Sequence, residues 1–171
     1  MAEIKYVIFS LGSQKYCMQL SRINGIEQAY TVVPIPLGAE CMKGIIHLRN
    51  EVIPVYSLKE KLNIFEEDSS EQQLLLAETH DMVIAFEVDT VLGIEVLQTS
   101  DVKKVPKVVQ SEETGYLESI VHLPGMDNGN ADIVLCISVD NILKDVEFEN
   151  IKQALVDSQK QENEDCESDE T

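Results

Sequence analysis

The sequence predicts a mostly β protein built as two small packed β units with short helices and a C-terminal helix. Three observations carry that prediction. Gly44-Ile45-Ile46-His47-Leu48-Arg49 is echoed by Ser119-Ile120-Val121-His122-Leu123-Pro124, and Ile53-Pro54-Val55-Tyr56-Ser57-Leu58 by Val134-Leu135-Cys136-Ile137-Ser138-Val139. The spacing of roughly 76 residues is too long for a solenoid unit and suits two β units made on one plan. Apolar residues also occupy both faces of the opening strand, Tyr6, Ile8 and Ser10 on one and Val7, Phe9 and Leu11 on the other, as a strand in a small barrel requires.

In chain order, Tyr6 to Leu11 and Lys15 to Leu20 read as a hairpin around Gly12-Ser13. Ser21 to Gly25 reads as a brief turn or one-turn helix capped by Ser21. Ile26 to Val33 reads as a strand, ended by Pro34-Ile35-Pro36, which forbids a helix there. Ile45–Leu48 and Val52–Tyr56 are β-branched runs either side of Arg49-Asn50-Glu51, and Asn tolerates the left-handed backbone of a tight turn. A hairpin results, with an arginine at its tip. Pro54 cannot donate to a ladder, so its strand is either at an edge or has its donor side unpaired at that residue.

Ser57 to Ile64 fits a short helix with Leu58, Leu62 and Phe65 on its apolar side. Glu66 to Gln73 is acidic and polar without period, and is the best linker. Strands follow at Leu74–Ala77, Met82–Val88 and Val91–Leu97, then a Lys-bearing loop from Asp101 to Val109. Tyr116–Leu123 and Ile133–Val139 form the second copy of the central hairpin, and a short helix begins at Val139. A terminal helix spans 147–156, with Phe148, Ile151, Lys152 and Leu155 at helical spacing. The expected organisation is a domain over 1–156, with subdomains at about 5–65 and 74–143, and an acidic disordered tail over 157–171.

The formal net charge of -18 argues against a nucleic-acid or anionic-membrane surface, since phosphate needs Lys and Arg. The tail from Asp157 to Glu170 holds seven acidic residues against one lysine, about a third of that excess. No signal-peptide pattern opens the chain, and no apolar run approaches the roughly 20 residues that span a bilayer, which predicts a cytoplasmic location without direct membrane contact. Cys17, Cys41, Cys136 and Cys166 lack paired spacing and read as free thiols in a reducing compartment.

No catalytic motif emerges: no phosphate-cradling glycine loop and no activated Ser, Cys or Lys. The reading is therefore no enzyme, no cofactor and no metal. Matched His47 and His122 are the nearest thing to a catalytic or metal pair, and solvent-facing side chains inherited from the repeat are the plainer account. Arg49 offers five fixed donors either to a partner or to its own chain. Ile23, Ile26 and Val33 form either an apolar docking surface or ordinary core.

The run Gly44 to Leu58 resembles the Gly-x-x-Asn-Leu-Arg-Gly-x-x-x-Pro-x-x-Asp-Leu run of CheW-type chemotaxis coupling proteins. Supporting similarities are Tyr6 to Gly12, Ile23 to Glu27, Val88-Asp89-x-Val91 and Ile133 to Leu143, so the resemblance covers about Lys5 to Leu143. It implies two five-stranded SH3-like barrels side by side. It also implies a non-catalytic adaptor between the cytoplasmic tip of chemoreceptors and the regulatory domain of the histidine kinase CheA. Carried over residue by residue, it assigns partner binding to Arg49, Gly44, Asn50 and Ile23, with Val88 and Asp89 matching a motif near the groove between barrels. His47, Asn50 and Ser57 depart from the family Asn, Gly and Asp, and leave open a diverged scaffold for another sensory kinase.

Overall fold

A computed structural model describes residues 3–28, 30–34, 41–64, 72–79, 81–107, 115–123, 132–143, 149–153 and 155–156. Strands β1 (Glu3–Leu11) and β2 (Gln14–Gln19) pair as the expected antiparallel hairpin, with Gly12 at φ 63 in the turn, where a residue without Cβ is unstrained. A 3-10 turn, Leu20–Arg22, follows. Its cap is Gln19 and no side chain bonds to it, so the expected Ser21 cap does not form: Ser21 lies inside the turn instead of before it.

Next come β3 (Ile23–Glu27), β4 (Met42–Leu48), β5 (Glu51–Ser57) and helix α1 (Leu58–Lys61). They are followed by β6 (Gln73–Thr79), β7 (Met82–Val88), β8 (Thr90–Gln98), β9 (Val102–Lys103), β10 (Leu117–Leu123) and β11 (Asp132–Ile137). The strand expected over Ile26–Val33 is really β3, three residues earlier, and Val33 makes only an isolated bridge to Ile45. The chain leaves β6 after Glu27 because it must cross to the far edge of its own sheet. The helix expected from Val139 is a single turn, in which Ile142 and Asn141 donate to the Ser138 carbonyl at 3.0 and 3.3 Å. Residues 149–153 and 155–156 are helical, and Ile151 is buried. Phe65, most of the linker, Phe148 and the acidic tail lie outside the described residues.

Two sheets result, ordered β8-β1-β2-β11-β10-β9 and β3-β6-β7-β5-β4. The order is the same in both: a single strand, a hairpin, then a second hairpin joined to the first by a parallel pairing. β11 runs parallel to β2 through Leu135↔Tyr16 and Cys136↔Cys17, and β5 parallel to β7 through Val55↔Ala85 and Tyr56↔Phe86. Even the irregularities match, since the β4–β5 register shifts between Met42 and Gly44 and the β10–β11 register between Leu117 and Ser119. Val33 closes the five-stranded sheet by exchanging bonds with Ile45 at 2.8 and 2.9 Å, beside the edge strand β4.

The repeat is thus visible in the sheets, but the division at 65/74 is not how they are assembled. β1 and β2 join β8–β11, while β6 and β7 join β3–β5. Each half gives its opening hairpin to the other, so the five-stranded sheet comes from Ile23–Val88 and the six-stranded sheet from the chain on both sides of it.

The exchange explains the two apolar faces. Tyr6 and Ile8 pack inside the six-stranded unit with Cys17, Leu97, Val121 and Cys136. Ile46, Ile53, Val55, Leu74, Leu76 and Ala85 fill the five-stranded one. A third cluster lies between the sheets and draws on both, joining Val7, Phe9, Leu11, Tyr16 and Met18 to Tyr56, Leu58, Leu75, Ile84 and Phe86. Phe9 and Tyr16 stack with centroids 6.3 Å apart, and Tyr56 meets Phe86 edge-on at 6.0 Å.

Candidate functional site

The central hairpin forms as read. Leu48 pairs with Glu51, which leaves Arg49 and Asn50 as a two-residue turn with φ of 50 and 65. Positive φ at both positions is the primed geometry whose twist matches the flanking strands, and Asn bears it better than most residues. Asn50 therefore preserves the turn that the family glycine makes. Both side chains are exposed, and among the described residues Arg49 makes no hydrogen bond or ion pair. The second alternative for Pro54 holds: β5 lies between β7 and β4, and Pro54 faces Ile45, whose own N–H and C=O turn away to Val33. The parallel pairing with β7 starts only at Val55, so no ladder bond is asked of the proline. Ser57, in place of the family Asp, still caps α1 by accepting the Glu60 N–H at 3.3 Å.

The turn stands at the end of a cleft of about 710 Å³ between β4 and the chain that follows β3, lined by Glu27, Tyr30, Thr31, Val33, His47 and Leu48. Gly44 sets its width. At φ +154, a Cβ on Gly44 would lie 2.2 Å from the Val33 carbonyl oxygen and 2.9 Å from Val32 Cγ1, so only glycine lets the two backbones meet. Tyr30 is anchored by donating its hydroxyl to Glu87 Oε2 at 3.2 Å, and Glu87, buried, is paired with Lys43. Ile26 and Val33 expose 38% and 46% of their surface, so they offer the apolar contact that was one of their two readings. Ile23 does not match them: it is half-buried and packs against the core between the sheets.

Val88 and Asp89, which the resemblance assigns to partner binding near the groove between the barrels, lie where the chain passes from one sheet to the other. Both are buried, so neither offers a side chain to a docking partner. Asp89 is the single residue between β7 of one sheet and β8 of the other. Its N–H donates to the Ser10 carbonyl at 3.1 Å, and its Oδ2 accepts the Gly12 N–H at 2.8 Å and lies 3.1 Å from the Lys59 ammonium. A buried carboxylate is tolerated because a cation and a backbone donor meet it. The other crossover is bridged by an exposed pair. Arg22 donates to the Glu78 carbonyl at 3.1 Å and to Asp140, which also accepts from Thr79 Oγ1 at 2.9 Å.

His47 is exposed on β4, and His122 is half-buried on β10 of the other sheet, so the two are not brought onto one surface strand pair. Among the described residues, no group of three His, Cys, Asp or Glu side chains is placed to hold a metal ion. Cys17, Cys41 and Cys136 are free thiols, yet Cys17 faces Cys136 across the parallel seam. The neighbouring Cys136 side chain, with burial second, pushes the Cys17 thiol well above its ordinary value. Sequence reasoning missed this pair, and equally Tyr30, Glu87, Lys59 and Arg22, because each acts on a residue distant in the chain. No described helix is long and apolar enough to cross a membrane.

The model of the CheW-like domain family matches residues 5–147. A chemotaxis protein CheW of Thermotoga maritima is 27% identical over 92 residues, covering 54% of this chain and 61% of that protein. The match thus spans about three fifths of that relative's length. The chemotaxis protein CheW of Bacillus subtilis is 25% identical over 118 residues, 68% of this chain and 76% of that protein. The crystal structure of the scaffolding protein TtCheW from Thermoanaerobacter tengcongensis superposes with a TM-score of 0.74 at 22% identity, covering 85% of this chain and 96% of that one, which establishes a shared fold.

Proposed function

Since this chain belongs to the CheW-like domain family, we propose that it is a non-catalytic adaptor that couples chemoreceptor tips to the regulatory domain of the histidine kinase CheA. It works in the cytoplasm and reaches membrane-bound receptor arrays through these partners. The relatives named above are chemotaxis and scaffolding proteins, which supports the coupling role in general. The observation that carries the specific reading is Arg49, held at an exposed turn by two positive φ angles and engaged by no other described residue. A guanidinium presented this way has its planar fork free for a carboxylate or a carbonyl of another protein.

Ile26, Val33 and the cleft wall beside the turn supply apolar surface, so a partner has both a charged anchor and something to desolvate. Gly44 acts at one remove, by admitting Val33 to the wall. Rigid coupling is the mechanism. A receptor tip and a kinase domain held on one inflexible body keep a fixed geometry, so that a small receptor displacement reaches the kinase. Each contact is modest alone and is strengthened by multivalency in an array.

The test is capture of a receptor-tip fragment and of the CheA regulatory domain by purified protein, wild type beside Arg49→Ala. The expected result is binding to both, weakened at least tenfold toward one of them by the substitution, with an unchanged unfolding midpoint. Equal binding by a folded Arg49→Ala protein removes that residue from the interface. A second reading is a scaffold for another sensory kinase, and His47 favours it: it stands in the cleft wall where the family has Asn. Failure to bind either fragment, with capture of a different kinase's regulatory domain, would select it.

A further inference from the structure

Strand β8 carries the largest apolar exposure among the described residues, and nothing in the adaptor reading uses it. Leu92, Ile94 and Val96 are 51%, 53% and 50% exposed. Ile94 and Val96 stand at alternate positions of the regular stretch and share one face of the strand, and Leu92 lies next to them at its bulge. β8 is an end strand that pairs only with β1 among the described residues, so a row of backbone donors and acceptors lies along its other side. Of the devices that blunt natural edges, β8 has no Pro and no Lys, and carries only Glu95 and a bulge near its start. Its one irregularity is a bulge at Leu92, where Ile8 pairs with Gly93 and Phe9 with Val91. From Gly93 to Gln98 it runs in regular register against β1.

We propose that two copies of the chain associate by antiparallel pairing of their β8 edges, about a twofold axis through Ile94. The sequence of the strand selects both the occupant and the register. With the axis at Ile94, Ile94 faces its own copy, Leu92 faces Val96 of the second copy, and Val96 faces Leu92. Every exposed apolar side chain then meets another across the seam. Glu95, the one charged residue of β8, falls opposite Gly93, which has no side chain and where nothing lies within 4 Å of an added Cβ.

The neighbouring registers are worse. Moving the axis to Glu95 sets the two carboxylates directly opposite, and moving it to Gly93 leaves Val96 opposite Thr90. An odd shift sets the apolar stripe of one copy against the face of the other that carries Gly93 and Glu95. Self-complementarity about a twofold is the mark of an isologous interface. Three apolar residues per copy make a small contact, so the dimer is weak and concentration-dependent. The net charge of -18 on each copy opposes it, and added salt strengthens it.

Two measurements test this. Sedimentation of the full chain across a wide concentration range, at low and moderate salt, should show a monomer–dimer equilibrium shifted towards dimer by salt. Ile94→Lys, which puts two ammonium groups on the axis, should leave a folded monomer at every concentration. The register is read by oxidation of probes with one exposed cysteine, in a Cys41→Ser, Cys166→Ser background that keeps only the buried Cys17 and Cys136. Ile94→Cys should cross-link to a symmetric dimer, because residues on the axis have Cα atoms within disulfide reach, and Leu92→Cys and Val96→Cys should not. A chain that is monomeric throughout, or one that cross-links equally at all three positions, overturns the proposal. So does an Ile94→Lys protein whose self-association is unchanged. If Ile94→Lys leaves a monomeric wild-type state untouched but abolishes binding of a receptor or kinase fragment, the stripe belongs to that partner and the second-copy reading is wrong.

Discussion

Replacing Gly44 by Ala should cost far more stability than its position on a strand suggests, and Gly93→Ala supplies the control. Both glycines have a φ that L-residues rarely adopt, +154 and +148. A side chain in that region costs about 1–3 kcal/mol of backbone strain at either site. They differ in what surrounds them. The Cβ at Gly93 meets nothing within 4 Å, whereas that at Gly44 lies 2.2 Å from the Val33 oxygen and 2.8 Å from its carbonyl carbon. Backbone atoms cannot rotate aside, so the Val33 segment must retreat and its two bonds with Ile45, at 2.8 and 2.9 Å, break. Each such bond is worth about 1 kcal/mol net, which brings Gly44→Ala to roughly 3–5 kcal/mol against about 1–3 for Gly93→Ala. Urea unfolding at a concentration low enough to keep the chain monomeric measures both, by the shift of midpoint at constant slope. Hydrogen exchange at the Val33 and Ile45 amides should accelerate in Gly44→Ala alone. Equal costs for the two variants, or unchanged exchange at Val33, would show that φ strain is the whole effect and that the close approach is not what requires glycine.

Two other perturbations test the internal architecture. Asp89→Asn withdraws the carboxylate charge from buried Lys59 and should cost about 3–5 kcal/mol, while the double variant with Lys59→Met should cost less than the two single changes summed; additive costs in urea unfolding would mean the pair is not coupled. Burial first, then the neighbouring Cys136 and Cys17 thiols and Glu118, raises Tyr6 from 10.0 to about 12. A raised acid is stabilising while neutral, so this contribution is complete below the unfolded-state value near 10 and is lost as pH climbs through about 12. The loss reaches roughly 2–3 kcal/mol. Tyr6→Phe should flatten the alkaline fall in stability, and an identical slope in that variant would refute the assignment.

The sequence was most readable where the determinants are local. Arg49 and Asn50 mark a turn because two adjacent residues can take positive φ, and the alternation around them marks the strands. The opening hairpin was legible for the same reason, and the two apolar faces of β1 correctly announced burial on both sides. What alternation cannot say is which strand a strand will meet. The exchanged hairpins leave no trace in a local pattern, since β1 has the same character whichever unit it completes. Asp89 shows the difficulty at one residue. An Asp between two apolar strands reads as an ordinary turn, but its partner at Gly12 is 77 residues away and only the fold brings them together. The Cys17–Cys136 neighbours stayed hidden likewise, as their meeting depends on a parallel seam between elements from opposite ends of the chain.

The exchange also bears on how an adaptor of this shape transmits force. Two barrels joined by a linker would turn about it, and a displacement at one partner would be absorbed. Here the chain passes between the sheets twice, through the 3-10 turn at Leu20–Arg22 and through Asp89 alone, and each passage is fastened by a charged side chain that reaches across. Sliding one sheet over the other would also disengage Phe9, Tyr16, Tyr56 and Phe86, each worth roughly 1.5–3 kcal/mol in burial. That cost far exceeds thermal energy, so the two units move as one body. A load applied at the Arg49 hairpin must then be carried through β5 and β7 into β1, and not dissipated in a joint. Cutting either fastening should soften the body before it weakens any single interface, which separates rigid coupling from simple tethering.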